Sequence, residues 1–200
     1  MRRSFIKGLA VIGFAATLGF GASAQTEVDP ENVLVIEIAG EGAGIIEILM
    51  RPDVAPLHVE RIKELARSGA YDGVVFHRVI DGFMAQTGDV EFGKLDGYDY
   101  RTAGRGGSDL PDLPAEFSDI TYIEGIIGMA RSNSPNSANS QFFIVFDDAS
   151  FLDGQYTVIG RVISGMEYVR AIKRGDSGAN GAVFDNRSEE HTSELQSHLN

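Results

Sequence analysis

Apolar and polar residues alternate over 32–39, a period of two that predicts a strand. The cluster Gly40-Glu41-Gly42-Ala43-Gly44 follows, and 45–49 predicts a second strand. A dinucleotide-binding loop needs a helix directly after its glycines. A β-type run follows here, so the cluster reads as a hairpin turn. Over 52–68 the period lengthens. Leu57, Ile62, Leu65 and Ala66 approximate one face of a helix, with Pro56 in its first turn and Gly69 as the C-cap. His58, Glu60, Arg61, Lys63 and Glu64 read as its solvated face. The run 76–89, FHRVIDGFMAQTGD, predicts two short strands joined at the turn dipeptide Asp81-Gly82. Residues 91–114 are Gly-rich and short of apolar positions, so they read as a long surface loop, with positive φ expected within 104–107. Strands are predicted at 126–131, 141–146 and 156–163, a polar loop at 132–140, and a short helix at 166–173. Many short strands with two helices predict a mainly β fold, a barrel capped at its ends.

Composition narrows the functional classes. The 200 residues suit one domain, and 43% hydrophobic residues suffice for a sizeable core. A net charge of −12 makes nucleic acid and anionic membrane surfaces poor partners. Without cysteine there is no disulfide, thiolate chemistry or Cys-bound metal.

The two ends of the chain stand apart from the domain. Arg2, Arg3 and Lys7 precede a short apolar stretch from Leu9 to Phe20, and Ala22-Ser23-Ala24 reads as a cleavage site. Residues 1–24 are therefore read as a signal peptide and 25–186 as the domain. Cleavage would remove three positive charges and no negative ones, taking −12 to −15. Arg2-Arg3 also fits a twin-arginine export motif, and the export route stays open. The expected location is the periplasm, with a mature chain free of the membrane. Residues 187–200 break with the preceding composition. They resemble the translated read-through of a sequencing adapter and are read as a non-native tail, so His191 and His198 are not metal ligands.

The chemistry concentrates in 76–89. Arg78, Phe83, Met84 and Gln86 bring a cation, an aromatic, a thioether and an amide to one surface, a mixture suited to an extended peptide carrying an apolar ring. The run resembles the signature of the cyclophilin family of peptidyl-prolyl isomerases. Gly128-Met129-Ala130, Ser140-Gln141-Phe142-Phe143 and Phe151-Leu152-Asp153-Gly154 follow in that family's order, and the resemblance spans 33–186.

The resemblance implies a closed eight-stranded antiparallel barrel with two helices. Its last strand is expected to be missing here, because it would begin where the tail starts. It also implies isomerisation of X-Pro bonds in exported polypeptides, without cofactor or metal, by a monomer. Arg78, Phe83 and Gln86 would be catalytic, with Arg78 holding the substrate carbonyl and bringing a proton donor to the proline nitrogen. Met84, Phe143 and Leu152 would join Phe83 around the proline ring. Ala130 and Arg131 would hold the substrate backbone, and Gln141 would line the same groove. Phe151, Tyr156 and Arg131 stand where the best-known eukaryotic members have Trp, His and Asn. Loss of the indole N–H implies weak cyclosporin binding. His77 alternates with Arg78 and should point to the opposite face, as a hydrogen-bonded structural histidine. A second reading needs the same groove: a prolyl-peptide-binding chaperone with incidental catalysis. A third, a small-ligand β-barrel carrier, would need no such constellation as Arg78, Phe83 and Gln86.

Overall fold

The computed structural model describes residues 29–40 and 42–184, and the backbone of 194–199. The expected signal peptide, its cleavage site and most of the tail lie outside these residues. A 3-10 turn at Pro30–Asn32 leads into β1 (Val33–Ile38), which pairs antiparallel with β2 (Gly44–Met50). Helix α1 (Pro56–Arg67) follows, with Pro56 at its N-terminus and Gly69 at positive φ just beyond its end. Then come β3 (Val74–Val75), β4 (Arg78–Ile80) and β5 (Met84–Thr87), with Gly82 at positive φ in the β4–β5 turn. The later strands are β6 (Ile126–Met129), β7 (Phe142–Val145), β8 (Val158–Ser164) and β9 (Glu194–Leu199), and α2 (Met166–Ala171) follows β8.

All strand pairs are antiparallel, in the order β3-β9-β1-β2-β8-β6-β7-β5-β4. The two end strands are halves of one bent segment, separated only by Phe76 and His77. Counted together they make an eight-stranded barrel, as expected. One expectation is corrected. The place of the last strand is not empty, because β9 pairs with β1 from Leu34↔Leu199 to Ile38↔Leu195 and with β3 at Val74 and Val75. An open strand edge next to a buried face is a strong acceptor for any extended segment, and the tail supplies one.

Alternation along the strands sorts side chains into two clusters. Val79, Ala85, Ile127, Met129, Phe142, Ile144 and Ile159 join the main core. Their neighbours Met84, Ile126, Phe143, Val145 and Val158 form a second cluster with Tyr122, Ala149 and Leu152. The second cluster is the floor of the candidate site.

Helix α1 buries a different set of side chains from the one its periodicity predicts. Val59, Ile62, Leu65 and Ala66 are buried, but Leu57 is 50% exposed. Glu60 and Glu64 are exposed as expected, whereas His58, Arg61 and Lys63 are buried. Neighbouring segments cover that side and supply partners. Arg61 donates to the Pro111 carbonyl at 2.8 Å, and Lys63 to Asn32 Oδ1 at 2.7 Å. The Glu116 carboxylate accepts from the His58 amide at 3.1 Å and sits 2.6 Å from His58 Nδ1. Burial lowers the His58 pKa, with Glu116 opposing it.

His77 is buried; neither ring nitrogen completes a hydrogen bond of good geometry, although the Val75 backbone and the Gln141 side chain lie near enough to favour its protonated form. Burial pushes its pKa down to about 4, with Asp89 the largest opposing influence. In the unfolded chain the ring titrates near ~6.5. As pH falls from there to about 4, the unfolded chain takes up a proton that the folded chain refuses. Stability should therefore be full above this window and decline through it. His77→Leu is expected to flatten the acid limb. In urea titrations at pH 7 and pH 5, the parent should lose about 2 kcal/mol more than the variant. Equal losses would contradict the assignment.

Candidate active site

Register places the polar residues of the site. Arg78 on β4 lies opposite Gln86 on β5, and Gln86 lies opposite Phe143 on β7. The three side chains share the face that carries the second cluster. Arg78 Nη1 donates to Gln86 Oε1 at 3.1 Å, Gln86 Nε2 to Gln141 Oε1 at 2.9 Å, and Gln141 Nε2 to the Gly106 carbonyl at 2.8 Å. The guanidinium is thus the end of a chain of amides that fixes its plane.

Its other side is held by Asn180. Arg78 Nε donates to the Asn180 carbonyl and Nη2 to Asn180 Oδ1, both at 3.1 Å. Asn180 has φ 55, a left-handed conformation that Asn tolerates better than most residues. The segment carrying it is strapped to β4: Val79 donates to the Gly181 carbonyl at 2.8 Å and Val183 to the His77 carbonyl at 3.1 Å. Among the described residues no carboxylate pairs with Arg78, and burial lowers its pKa. A guanidinium offers five N–H donors. Gln86 and Asn180 leave one Nη2 donor free, and one Nη1 donor meets only the weak acceptor Met84 Sδ at 3.8 Å.

Arg78 and Gln86 border a cavity of about 270 Å³ with an apolar floor and a polar rim. Met84, Phe143 and Leu152 are buried in its floor, and Phe83, Phe151 and Tyr156 stand around it. Ala130 and Arg131 form the remaining side. Ten of the eleven residues singled out in the sequence therefore meet in one cavity. Gln141 does not line it, but reaches it through Gln86.

The walls are braced. Phe83 and Phe151 rings lie 5.3 Å apart, and Phe143 packs edge-on to Tyr156 at 5.7 Å and stacks with Tyr122 at 5.8 Å. A Cβ at Gly128 would collide with the Tyr122 hydroxyl and the Phe143 ring, so only glycine there lets the two aromatics lie flat beneath the slot. The Arg131 guanidinium sits 4.4 Å over the Tyr156 ring and donates to the Gln155 carbonyl at 2.9 Å. Its side chain is thus occupied in holding the wall. The Ala130 amide donates to the Gln141 carbonyl at 2.9 Å. No hydrogen bond among the described residues engages the Ala130 carbonyl or the Arg131 N–H.

Two site residues escaped the sequence reading. Asn180 lies 102 positions from Arg78 in a segment with no motif of its own. Asp89 closes the run 76–89 and is fully buried. Its carboxylate accepts from the amides of Phe92 at 2.8 Å and Glu91 at 3.1 Å, and from Gly104 at 2.7 Å and Gly106 at 3.1 Å. An acid followed by a Gly-rich loop was the available signal for such an amide nest.

Comparison with known proteins agrees with this geometry. Residues 33–192 match the family model described as cyclophilin type peptidyl-prolyl cis-trans isomerase. A probable peptidyl-prolyl cis-trans isomerase of Brucella suis is 55% identical over 183 residues, covering 90% of this chain and 91% of that protein. Peptidyl-prolyl cis-trans isomerase B of Bacillus subtilis is 34% identical over 136 residues, covering 68% of this chain and 88% of that protein. The crystal structure of a cyclophilin from Hirschia baltica superposes with a TM-score of 0.65 at 26% identity, covering 86% of this chain and 75% of that one. The barrel and the match over most of the chain define the class as a peptide-bond isomerase. The chain belongs to the cyclophilin-type peptidyl-prolyl cis-trans isomerase family, and its reaction is the rotation of X-Pro bonds.

Proposed function

We propose that this isomerase is exported to the periplasm, acts there as a monomer on folding exported polypeptides, and works non-covalently through Arg78. Rotation about a peptide bond costs about 18–20 kcal/mol because the C–N bond has partial double-bond character. At X-Pro both isomers are populated, yet uncatalysed exchange takes tens to hundreds of seconds. A catalyst needs no nucleophile. It must bind the twisted state, in which the proline nitrogen becomes pyramidal and basic, better than the planar one.

The observation that carries this reading is the unspent N–H of a guanidinium fixed by neutral acceptors beside an apolar slot. Phe83, Met84, Phe143 and Leu152 hold the proline ring. The free Arg78 donor meets the substrate where charge develops as conjugation is lost. Gln86 and Asn180 keep the fork from following the substrate as it turns, so the donor favours the twisted state. The Ala130 carbonyl and Arg131 N–H fix the chain on one side of the bond, and the other side rotates. Export is supported by the positive residues, apolar stretch and small-residue site of 1–24.

The deciding experiment follows refolding of an exported protein limited by proline isomerisation, with the mature parent and Arg78→Ala. Acceleration by the parent and not by the variant is the expected result. Equal help from both would favour a holding chaperone over an isomerase.

Cyclosporin should inhibit weakly. Phe151 is 63% exposed at the rim and carries no N–H to donate to the bound ring. Phe151→Trp is expected to tighten inhibition about tenfold, the worth of one good hydrogen bond. Tight inhibition of the parent would contradict this.

A further inference from the structure

Two more cavities flank the proline slot, and one arginine belongs to both. A cavity of about 420 Å³ is bordered by Arg105, Ala130, Arg131 and Gln141. A second, of about 660 Å³, is bordered by Arg78, Arg101 and Arg105 together with Tyr100 and Phe184. Gln86 lines all three cavities, so both flanking spaces open directly beside the reacting bond.

Arg105 is held out with care and then left unused. The amides on either side of it, Gly104 and Gly106, both donate to buried Asp89 Oδ2. The Gly106 carbonyl accepts from Gln141, which continues through Gln86 to Arg78. The backbone of Arg105 is therefore tied to the active site from two directions. Its exposed guanidinium makes no hydrogen bond and no ion pair among the described residues. Among the described residues the larger cavity has no acidic residue in its lining, whereas the smaller has Asp112. Arg101 leans over Tyr100 at 5.2 Å, with Asp99 at 3.8 Å its only ionic neighbour among the described residues. Tyr100 and Phe184 pack edge-on at 4.7 Å and remain 39% and 47% exposed.

These arginines gather in a chain whose net charge is −12, so they stand against its overall sign. A positive pocket at the site with an aromatic wall suits a carboxylate on an apolar stem. We propose that Arg105, assisted by Arg101, selects X-Pro substrates that carry Asp or Glu within a few residues of the proline. The inference rests on the isomerase reading of the slot and adds a specificity-determining residue to it.

The test uses proline peptides with Glu or Gln placed in turn at each of three positions on either side of the X-Pro bond. The mature parent, Arg105→Ala and Arg105→Glu are compared. At one or more positions the parent should show a kcat/KM about fivefold higher for Glu than for Gln at low salt. The advantage should shrink as salt rises. It should vanish in Arg105→Ala and invert in Arg105→Glu, while the Gln peptides are turned over alike by all three. Equal use of Glu and Gln by the parent overturns the proposal, as does an advantage that survives Arg105→Ala. A loss shared equally by Glu and Gln peptides would make Arg105 structural and also overturn it. No turnover of any Gln peptide by the folded parent would overturn the isomerase reading itself.

Discussion

Replacing Arg78 by lysine is expected to lower kcat/KM for an Ala-Pro-Phe peptide by about 100-fold, the scale for losing a preorganised donor at a developing charge. The charge survives this change, but the geometry does not. Arg78 meets Gln86 Oε1, the Asn180 carbonyl and Asn180 Oδ1 at once, each at 3.1 Å, because its donors lie in one plane. An ammonium is a point charge on a flexible stem and cannot span those acceptors while presenting a further donor to the slot. Arg78→Ala should fall at least as far. Neither variant should lose its fold, since Arg78 is only half-buried and the β4–β5 pairing is made by backbone. Steady-state kinetics with circular dichroism on the same samples checks both halves. A lysine variant within a few-fold of the parent would show that charge alone suffices.

Removing residues 194–200 should cost on the order of 5 kcal/mol, taking about 1 kcal/mol net for each backbone hydrogen bond lost. β9 pairs with five positions of β1 and two of β3, and it joins the two ends of the curled sheet. A loss of that size rivals the whole stability of a typical domain. The truncated chain would also expose the β1 edge and tend to associate through it. Urea titration with sizing chromatography would show the effect as a lowered midpoint and larger species. An unchanged midpoint would mean that β9 does not hold the barrel closed.

The sequence revealed the strands wherever one face was polar, as in β1, where burial alternates around Glu37. It was less informative in β7, whose four residues are all buried, so alternation leaves no trace. There the register decides that Phe142 and Ile144 enter the main core while Phe143 and Val145 underlie the slot. The cavity residues were legible because Arg78, Phe83, Met84 and Gln86 lie within nine positions and the pleat sends Arg78, Met84 and Gln86 to one face. What holds them was not. Asn180 and Gly106 meet Arg78 and Gln141 across long separations, and such contacts follow from topology rather than local pattern. Helical periodicity likewise located the apolar stripe of α1 but could not show that Glu116, Pro111 and Asn32 would cover its charged side. β9 was missed for a similar reason. Its segment carries no strong strand signal, and its pairing is decided by the open edge it meets.

The most direct measurement is cis/trans exchange of an Ala-Pro-Phe peptide followed by NMR, with catalytic amounts of the mature chain and of Arg78→Ala, each confirmed as folded. Exchange should fall within the NMR timescale for the parent and return towards the slow uncatalysed rate for the variant. Equally fast exchange with Arg78→Ala would contradict the central role given to the guanidinium.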